Sequence, residues 1–586
     1  MQNNTIKLLS VVAGSAILLT ACDGLGKMVK NQAQITHDVT PKPLEEKADS
    51  VAFTISGKYP AKVFAKKATV IVTPVIKYTT GGEKALEPIV LLGEKAVGNG
   101  QKIPYDKGGT YSKTFSTAYE PGMKVAKLEI RAKGAVKKKE KDFKGLEIAD
   151  GTIITPLLVR NDEKGIFAKD AFVKTQPANQ STHLYYAINQ SNVRPAEMKS
   201  EEMKTVSKFL QDNLNSMWYE FKGIEVSAYA SPDGETDKNE HLAQDRAKSG
   251  STAMIEEFKK SDKPKDKKDK TPENKFGKEK DQYKIGTTRE DWEGFKAALQ
   301  SSTMKDKDLV LRVLTMYSDP NQRRKEIKNL AATYNELRAD ILPKLRRAEI
   351  TIMVDKKSRT DEMISRLATS HPDSLSVEEL LYAGTLTTDL NTKLSIYQAA
   401  EKQYGADWRT SNNLGVALLM NNKVDDAKAA FDRASKNASG NAIVANNTGI
   451  IYSKSGDRKS AMDYYNKANG AGSEVAYNKG ILDIRNGKYA DAVSDFGSFK
   501  GFNLALAQLL NGSPESVNGT IDASNEKDMA MSFYLKAIAS ARKGDATGVA
   551  TLKTAIEKDA SLKAMAKDDC EFLKWRDNAD FKSMTN

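Results

Sequence analysis

"LGVALLMNNKVDDAKAAFDRA", Leu414 to Ala434, sets small residues at Gly415, Ala427 and Ala434 and an aromatic at Phe431 on a helical period. Shifted by 34 residues, the set returns as Gly449, Tyr452, Ala461, Tyr465 and Ala468, with Tyr452 answering Leu418. Tyr397 and Ala400 lie one step earlier, and Gly480, Ala492 and Phe496 follow after 31 residues. Glycine or alanine lets two helix backbones approach closely, and the aromatic fills the hole beside them. Such a helix pair cannot cover its own apolar stripe, so successive pairs stack into a superhelix with a concave face. This reading makes residues 376–570 an α-solenoid.

The spacing of Leu414, Gly415, Ala427 and Phe431, repeated at Gly449, Tyr452, Ala461 and Tyr465, resembles the tetratricopeptide repeat. The resemblance implies a groove that binds peptides or helices of protein partners, on the side of the helices around Asn413 and Asn447. A structural spacer with an unused groove is the alternative.

The chain has 586 residues, enough for several domains. The apolar run Leu8 to Leu19 has the length of a signal-peptide core and is too short to span a bilayer as a mature helix. Residues 1–21 therefore read as an export signal. Leu19-Thr20-Ala21-Cys22 resembles the lipobox of bacterial lipoproteins. That resemblance implies that Cys22 is acylated and tethers the chain to a membrane; with the wall-type domain and peptide groove read elsewhere in the chain, the expected address is the outer membrane, facing the periplasm. An ordinary cleavage site with an incidental cysteine is the other reading. Buried methylenes contribute about 0.8 kcal/mol each, so two or three acyl chains hold firmly. Lipidation of Cys22 leaves Cys570 alone, so no internal disulfide is expected. Residues 22–49 lack sustained periodicity, carry Pro41 and Pro43, and read as a flexible tether.

From residue 50 to 170, short alternating runs such as "SVAFTISGKY" and "ATVIVTPVIKY" are separated by turn residues. They predict an all-β, Ig-like antiparallel sandwich.

Residues 182–354 read as an α/β layer: strand, helix, strand, helix and strand, with a long insertion. The insertion's 259–282 stretch is lysine-rich and nearly free of apolar residues, predicting disorder, whereas 291–342 regains a helical period. In "YASPDGETDKNEHLAQDRA", Tyr229 to Ala247, the residues Gly234, Asn239, Leu242 and Arg246-Ala247, followed later by "EDWEGF" and "LPKLRRAEI", resemble the OmpA-like peptidoglycan-binding domain. The resemblance implies a loop that holds the diaminopimelate of a wall stem peptide, an aspartate taking its ammonium and Arg246 its carboxylate. The family's aspartate position falls on Ser231. A serine cannot neutralise an ammonium, a loss of about 1.5–3 kcal/mol, and Asp233 is the nearest replacement.

Chemistry for catalysis is not apparent. His37, His183, His241 and His371 are far apart, with no HExxH spacing, cysteine cluster, P-loop or G-x-S-x-G elbow. No enzyme activity, cofactor or metal is expected. The net charge of +13 sits in lysine-rich stretches. For an exported chain it points away from nucleic acid and toward anionic lipid or acidic partner surfaces, or simply a solvated lysine surface. Lipobox, sandwich, OmpA-like domain and repeats together resemble a Bacteroidota envelope lipoprotein. Its expected role is an interaction scaffold touching the wall, with a wall anchor or a part of a type IX-like secretion or gliding apparatus as the alternative.

Overall fold

The computed structural model describes residues 24–262, 274–288 and 290–586. Cys22 and the predicted signal lie outside the described residues. The chain folds into two compact units, one made of residues up to Ala168 with Ala400–Asn586, the other of Lys169–Ala399.

In the first unit, two sheets share one core. Ser50–Tyr59 pairs with Gly109–Ala118 in one, and Thr69–Lys77 with Lys127–Val136 in the other. Val51, Phe53 and Ile55 from the first sheet meet Val70, Val72 and Leu128 from the second. The pairing is not wholly antiparallel as expected, since Thr152–Ile153 runs parallel to Leu44–Glu45 and Leu91–Gly93 to Gln101–Ile103.

The predicted tether is corrected. Gly24–Lys30 is a helix whose Leu25 and Met28 are buried in the sandwich core. Thr36–Thr40 adds to the Ser50–Tyr59 strand, and Leu44–Lys47 follows it. Pro41 and Pro43 occupy the turn between these strands, where proline is tolerated because no ladder donor is needed. The sandwich boundary is corrected too: the last strand ends at Ile153, and 159–173 form neither strand nor helix.

The second unit contains β1 (Gln180–Tyr185), α1 (Glu201–Asn213), β2 (Tyr219–Tyr229), α2 (Thr236–Ser261), β3 (Tyr283–Thr288) and β4 (Arg347–Lys357). Their sheet order is β1-β4-β2-β3, with β2 and β3 parallel and the other neighbours antiparallel. Strand β3 was not anticipated. Predicted disorder over 259–282 is corrected where the chain is described. Residues 259–261 close α2, Phe276 packs its ring against Phe221 and Phe258, and Lys278 pairs with buried Asp262 at 2.6 Å. Residues 263–273 lie outside the described set. Short helices fill 292–336, as the period predicts.

Returning to the first unit, helix pairs follow in order: α3 (Trp408–Met420) with α4 (Val424–Asn437), α5 (Ala442–Lys454) with α6 (Arg458–Lys467), and α7 (Glu474–Arg485) with α8 (Tyr489–Phe496). Then come α9 (Phe502–Leu510), α10 (Ser516–Asp522), α11 (Ala530–Lys543) and α12 (Gly548–Lys558). Helical structure runs on past the predicted end at 570, to Thr585. Gly415 lies under the Phe431 ring, and a Cβ on Gly449 or Gly480 would stand 2.6 Å from Tyr465 or 2.9 Å from Phe496. Only glycine permits that approach. Ala427, Phe431, Ala461 and Tyr465 are fully buried and Leu414 nearly so. Tyr452 is half-buried and stacks on Tyr464 at 5.1 Å instead of entering the core.

Candidate peptide groove

Each first helix of a pair carries a buried asparagine at a fixed place before its small residue: Asn413 before Gly415, Asn447 before Gly449, Asn478 before Gly480, Asn503 before Ala505. An amide inside a helix has no use for the helix's own backbone groups, which are already paired, so burial there requires an outside partner. The partner is the chain's own segment 159–168.

The Ala168 N–H donates to Asn413 Oδ1 at 2.7 Å, while Asn413 Nδ2 donates to the Ala168 carbonyl at 3.0 Å. Asn447 holds Ile166 the same way, at 2.8 Å in both directions. Asn478 holds Lys164 at 2.7 and 3.0 Å, and Asn503 holds Arg160 at 2.9 and 3.0 Å. Residues 164, 166 and 168 alternate, as the same edge of an extended strand demands, so the row of amides acts as a neighbouring strand would. Asn412 and Asn446 add second donors to the carbonyls of Ile166 and Lys164, each at 3.1 Å. Asn447 Nδ2 also donates to Asn412 Oδ1, and Asn478 Nδ2 to Asn446 Oδ1, which locks the amides in orientation. At about 1 kcal/mol net per hydrogen bond, the row is a substantial stabilising contribution.

Side chains set the register. Ile166 is buried among Ile450, Ala461, Tyr465, Val475 and Leu482. The Glu163 side chain is fully buried, accepting from Ser453 Oγ at 2.6 Å with Lys454 Nζ at 3.6 Å. Arg485 lies 3.9 Å from Glu163, and burial holds its guanidinium below its ordinary value, opposed by that carboxylate. Tyr477 donates to Asp162 at 2.9 Å, the Lys164 ammonium sits 4.4 Å from the Tyr477 ring centre, and the Arg160 guanidinium lies 4.2 Å from that of Phe502 and pairs with Glu526. Gly165 approaches Val416 so closely that a Cβ there would lie 3.0 Å from it.

The second predicted site, in the other unit, is also internally engaged. Arg246 is 1 % exposed, and its guanidinium donates to the carbonyls of Tyr229, Gln190 and Ala187 at 2.9, 3.1 and 3.5 Å. Burial lowers its pKa to about 10, nearby Arg346 acting in the same direction. Asp233 pairs with Arg346 at 3.6 Å, Ser231 Oγ accepts from Arg346 Nε at 3.1 Å, and Asn239 Nδ2 donates to the Ser231 carbonyl at 3.0 Å. Ser231, Asp233, Asn239 and Arg246 are thus brought to one corner. Their polar groups bind the protein itself, and Arg346, not anticipated, supplies the charge facing Asp233.

Sequence reading placed Asn413 and Asn447 on the groove side and missed the whole amide row. The recurring Asn-x-Gly was the available signal. Among the described residues, no helix is long and apolar enough to cross a membrane, and no group of three or more His, Cys, Asp or Glu is placed to hold a metal.

The C-terminal helices resemble a tetratricopeptide solenoid. Similar solved structures include the APC/C hetero-tetramer Cut9-Hcn1, at 10 % identity over 38 % of this chain and 45 % of that one, TM-score 0.31. A tetratricopeptide repeat protein from Parabacteroides merdae ATCC 43184 is 21 % identical over 36 % of this chain and 91 % of its own, TM-score 0.27. YrrB, a TPR protein with an unusual peptide-binding site, is 18 % identical over 36 % of this chain and 99 % of its own, TM-score 0.21. No family model matches the chain, and no curated protein does. This chain spans less than half of the first of these structures.

Proposed function

We propose that the chain is a non-enzymatic scaffold of a bacterial cell envelope. An acylated Cys22 tethers it to the outer membrane facing the periplasm, and the solenoid groove engages an extended segment of a protein partner. The observation that carries this reading is the row Asn413, Asn447, Asn478 and Asn503, which grips peptide backbone from both its N–H and C=O. Such a grip is indifferent to side chains and suits recognition of an extended polypeptide.

Wall contact by an OmpA-like domain is the secondary activity. It is supported by the strand-to-helix corner at the end of β2, where Ser231, Asp233, Asn239 and Arg246 gather. It is weakened by the engagement of every one of them within the fold.

Crosslinking in living cells, with acyl mass measured on Cys22, tests the reading. Partner crosslinks falling within 408–510, together with release of a Cys22→Ser variant from membranes, are expected. Crosslinks that all avoid the solenoid, or an unacylated Cys22, overturn it. For the secondary activity, sedimentation with isolated sacculi must be lost in a folded Asp233→Asn variant, and no sedimentation of the wild-type chain overturns it.

A further inference from the structure

The groove is already full. Its occupant is attached at both ends, so the nature of that occupancy determines what else can enter.

We propose that residues 159–168 are a built-in competitor for the groove. Its ligand in trans is an extended segment of another protein, with an acid in the Glu163 slot, glycine in the Gly165 slot and an aliphatic side chain in the Ile166 slot. The inference rests on the groove reading above and adds its specificity and its gate.

Three features point to a competitor and not a permanent brace. The amides of Asn413, Asn447, Asn478 and Asn503 address backbone alone, so any extended chain satisfies them. The segment belongs to no sheet or helix, and its release dismantles no secondary structure. The cis fit is also imperfect, since Glu163 Oε2 reaches only Lys454 Nζ, at 3.6 Å, and the Tyr465 hydroxyl is buried without a hydrogen-bond partner. A buried hydroxyl without an acceptor is costly, so a segment placing its carboxylate to accept from Tyr465 while keeping the Lys454 pair would bind better than the resident one.

The slots follow from their walls. Glu163 faces Lys454 and Arg485, which select an acid. The Val416 side chain crowds a Cβ at position 165 and so favours glycine, and the cluster around Ile450 and Leu482 takes a branched aliphatic. Being tethered, the resident segment competes at an effective concentration on the order of millimolar. A free peptide of the same sequence is therefore excluded from the intact protein until the tethered copy is weakened.

The test uses a fluorescein-labelled peptide with the sequence of residues 159–168, titrated into the purified full-length chain and into its Ile166→Ser variant. Binding to the variant is expected to be at least about 100-fold tighter than to wild type. Equal affinity for both, or no binding to a folded variant, overturns the proposal. Should the variant not fold, a peptide with a benzophenone side chain in place of Phe167 is photolysed with wild type at millimolar concentration. Adducts within α3, α5 or α7 support the proposal, and none, or adducts elsewhere, overturn it. Light scattering showing a dimer that exchanges 159–168 between copies overturns it in favour of a second copy as occupant. No membrane or cellular partner is involved, so the envelope reading can fail while this one stands, and the reverse.

Discussion

In the groove, four asparagines hold a backbone that lies 245 to 343 residues away in sequence. At the corner below β2, Arg246 holds three carbonyls only 17 to 59 residues away, in β2 itself and the loop after β1. Both satisfy buried polar groups, yet the consequences differ. The distant segment lies outside every helix of the solenoid, so the amide row is a contact between elements and not within one. Removing what Arg246 holds would take apart its own domain. Polar side chains aimed at a remote segment outside sheets and helices fasten one part of the chain to another, whereas those aimed at adjoining loops brace a single domain.

The largest effect that can break this contrast is at the brace. Arg246→Ala should destabilise its unit by about 3 kcal/mol or more, because three carbonyls lose a charged donor. Chemical denaturation measures it. A variant as stable as wild type would make Arg246 a free ligand-binding group.

Next is pH. In α7, burial and the adjacent Asp495 carboxyl push Asp483 up to about 7. An acid raised in the folded state binds its proton more tightly there, so its stability contribution is full below about pH 4 and lost as pH rises through about 7. Since the carboxyls share the proton, roughly 2 kcal/mol is at stake, and denaturant midpoints across that window should flatten in Asp483→Asn.

Smaller again is Asn447→Ala, which strips Ile166 of both backbone partners and should cost about 1–3 kcal/mol. Trypsin cleavage after Arg160 and Lys164 should accelerate while the helical circular dichroism holds. The smallest change is Gly165→Ala, at about 1 kcal/mol or less, since Val416 need shift only a few tenths of an ångström. The same proteolysis, run side by side, ranks it below Asn447→Ala.

The repeats were legible because small-against-aromatic spacing is a local pattern: Gly415 and Phe431 sit in one helix pair, and the contact that needs them lies in that pair. Asn413 and Asn447 declared a groove face. Their partners did not show, because Ile166 and Ala168 meet the amides through main-chain groups alone, which carry no sequence signature. Arg246 was likewise found by its motif, while its carbonyl partners were invisible for the same reason. Residues 22–49 differ from the expected tether for another reason: Pro41 and Pro43 have the sequence signature of a linker and equally that of a bend between two strands, each paired with Ser50–Tyr59.

The alignment of 159–168 along the amide row also has a mechanical meaning. A pull along that stretch loads the grips at Asn413, Asn447, Asn478 and Asn503 together, in shear, instead of peeling them one at a time. Forced detachment of this stretch is then limited by the rate of crossing one shared barrier, so the amide row resists tension better than its individual hydrogen bonds suggest.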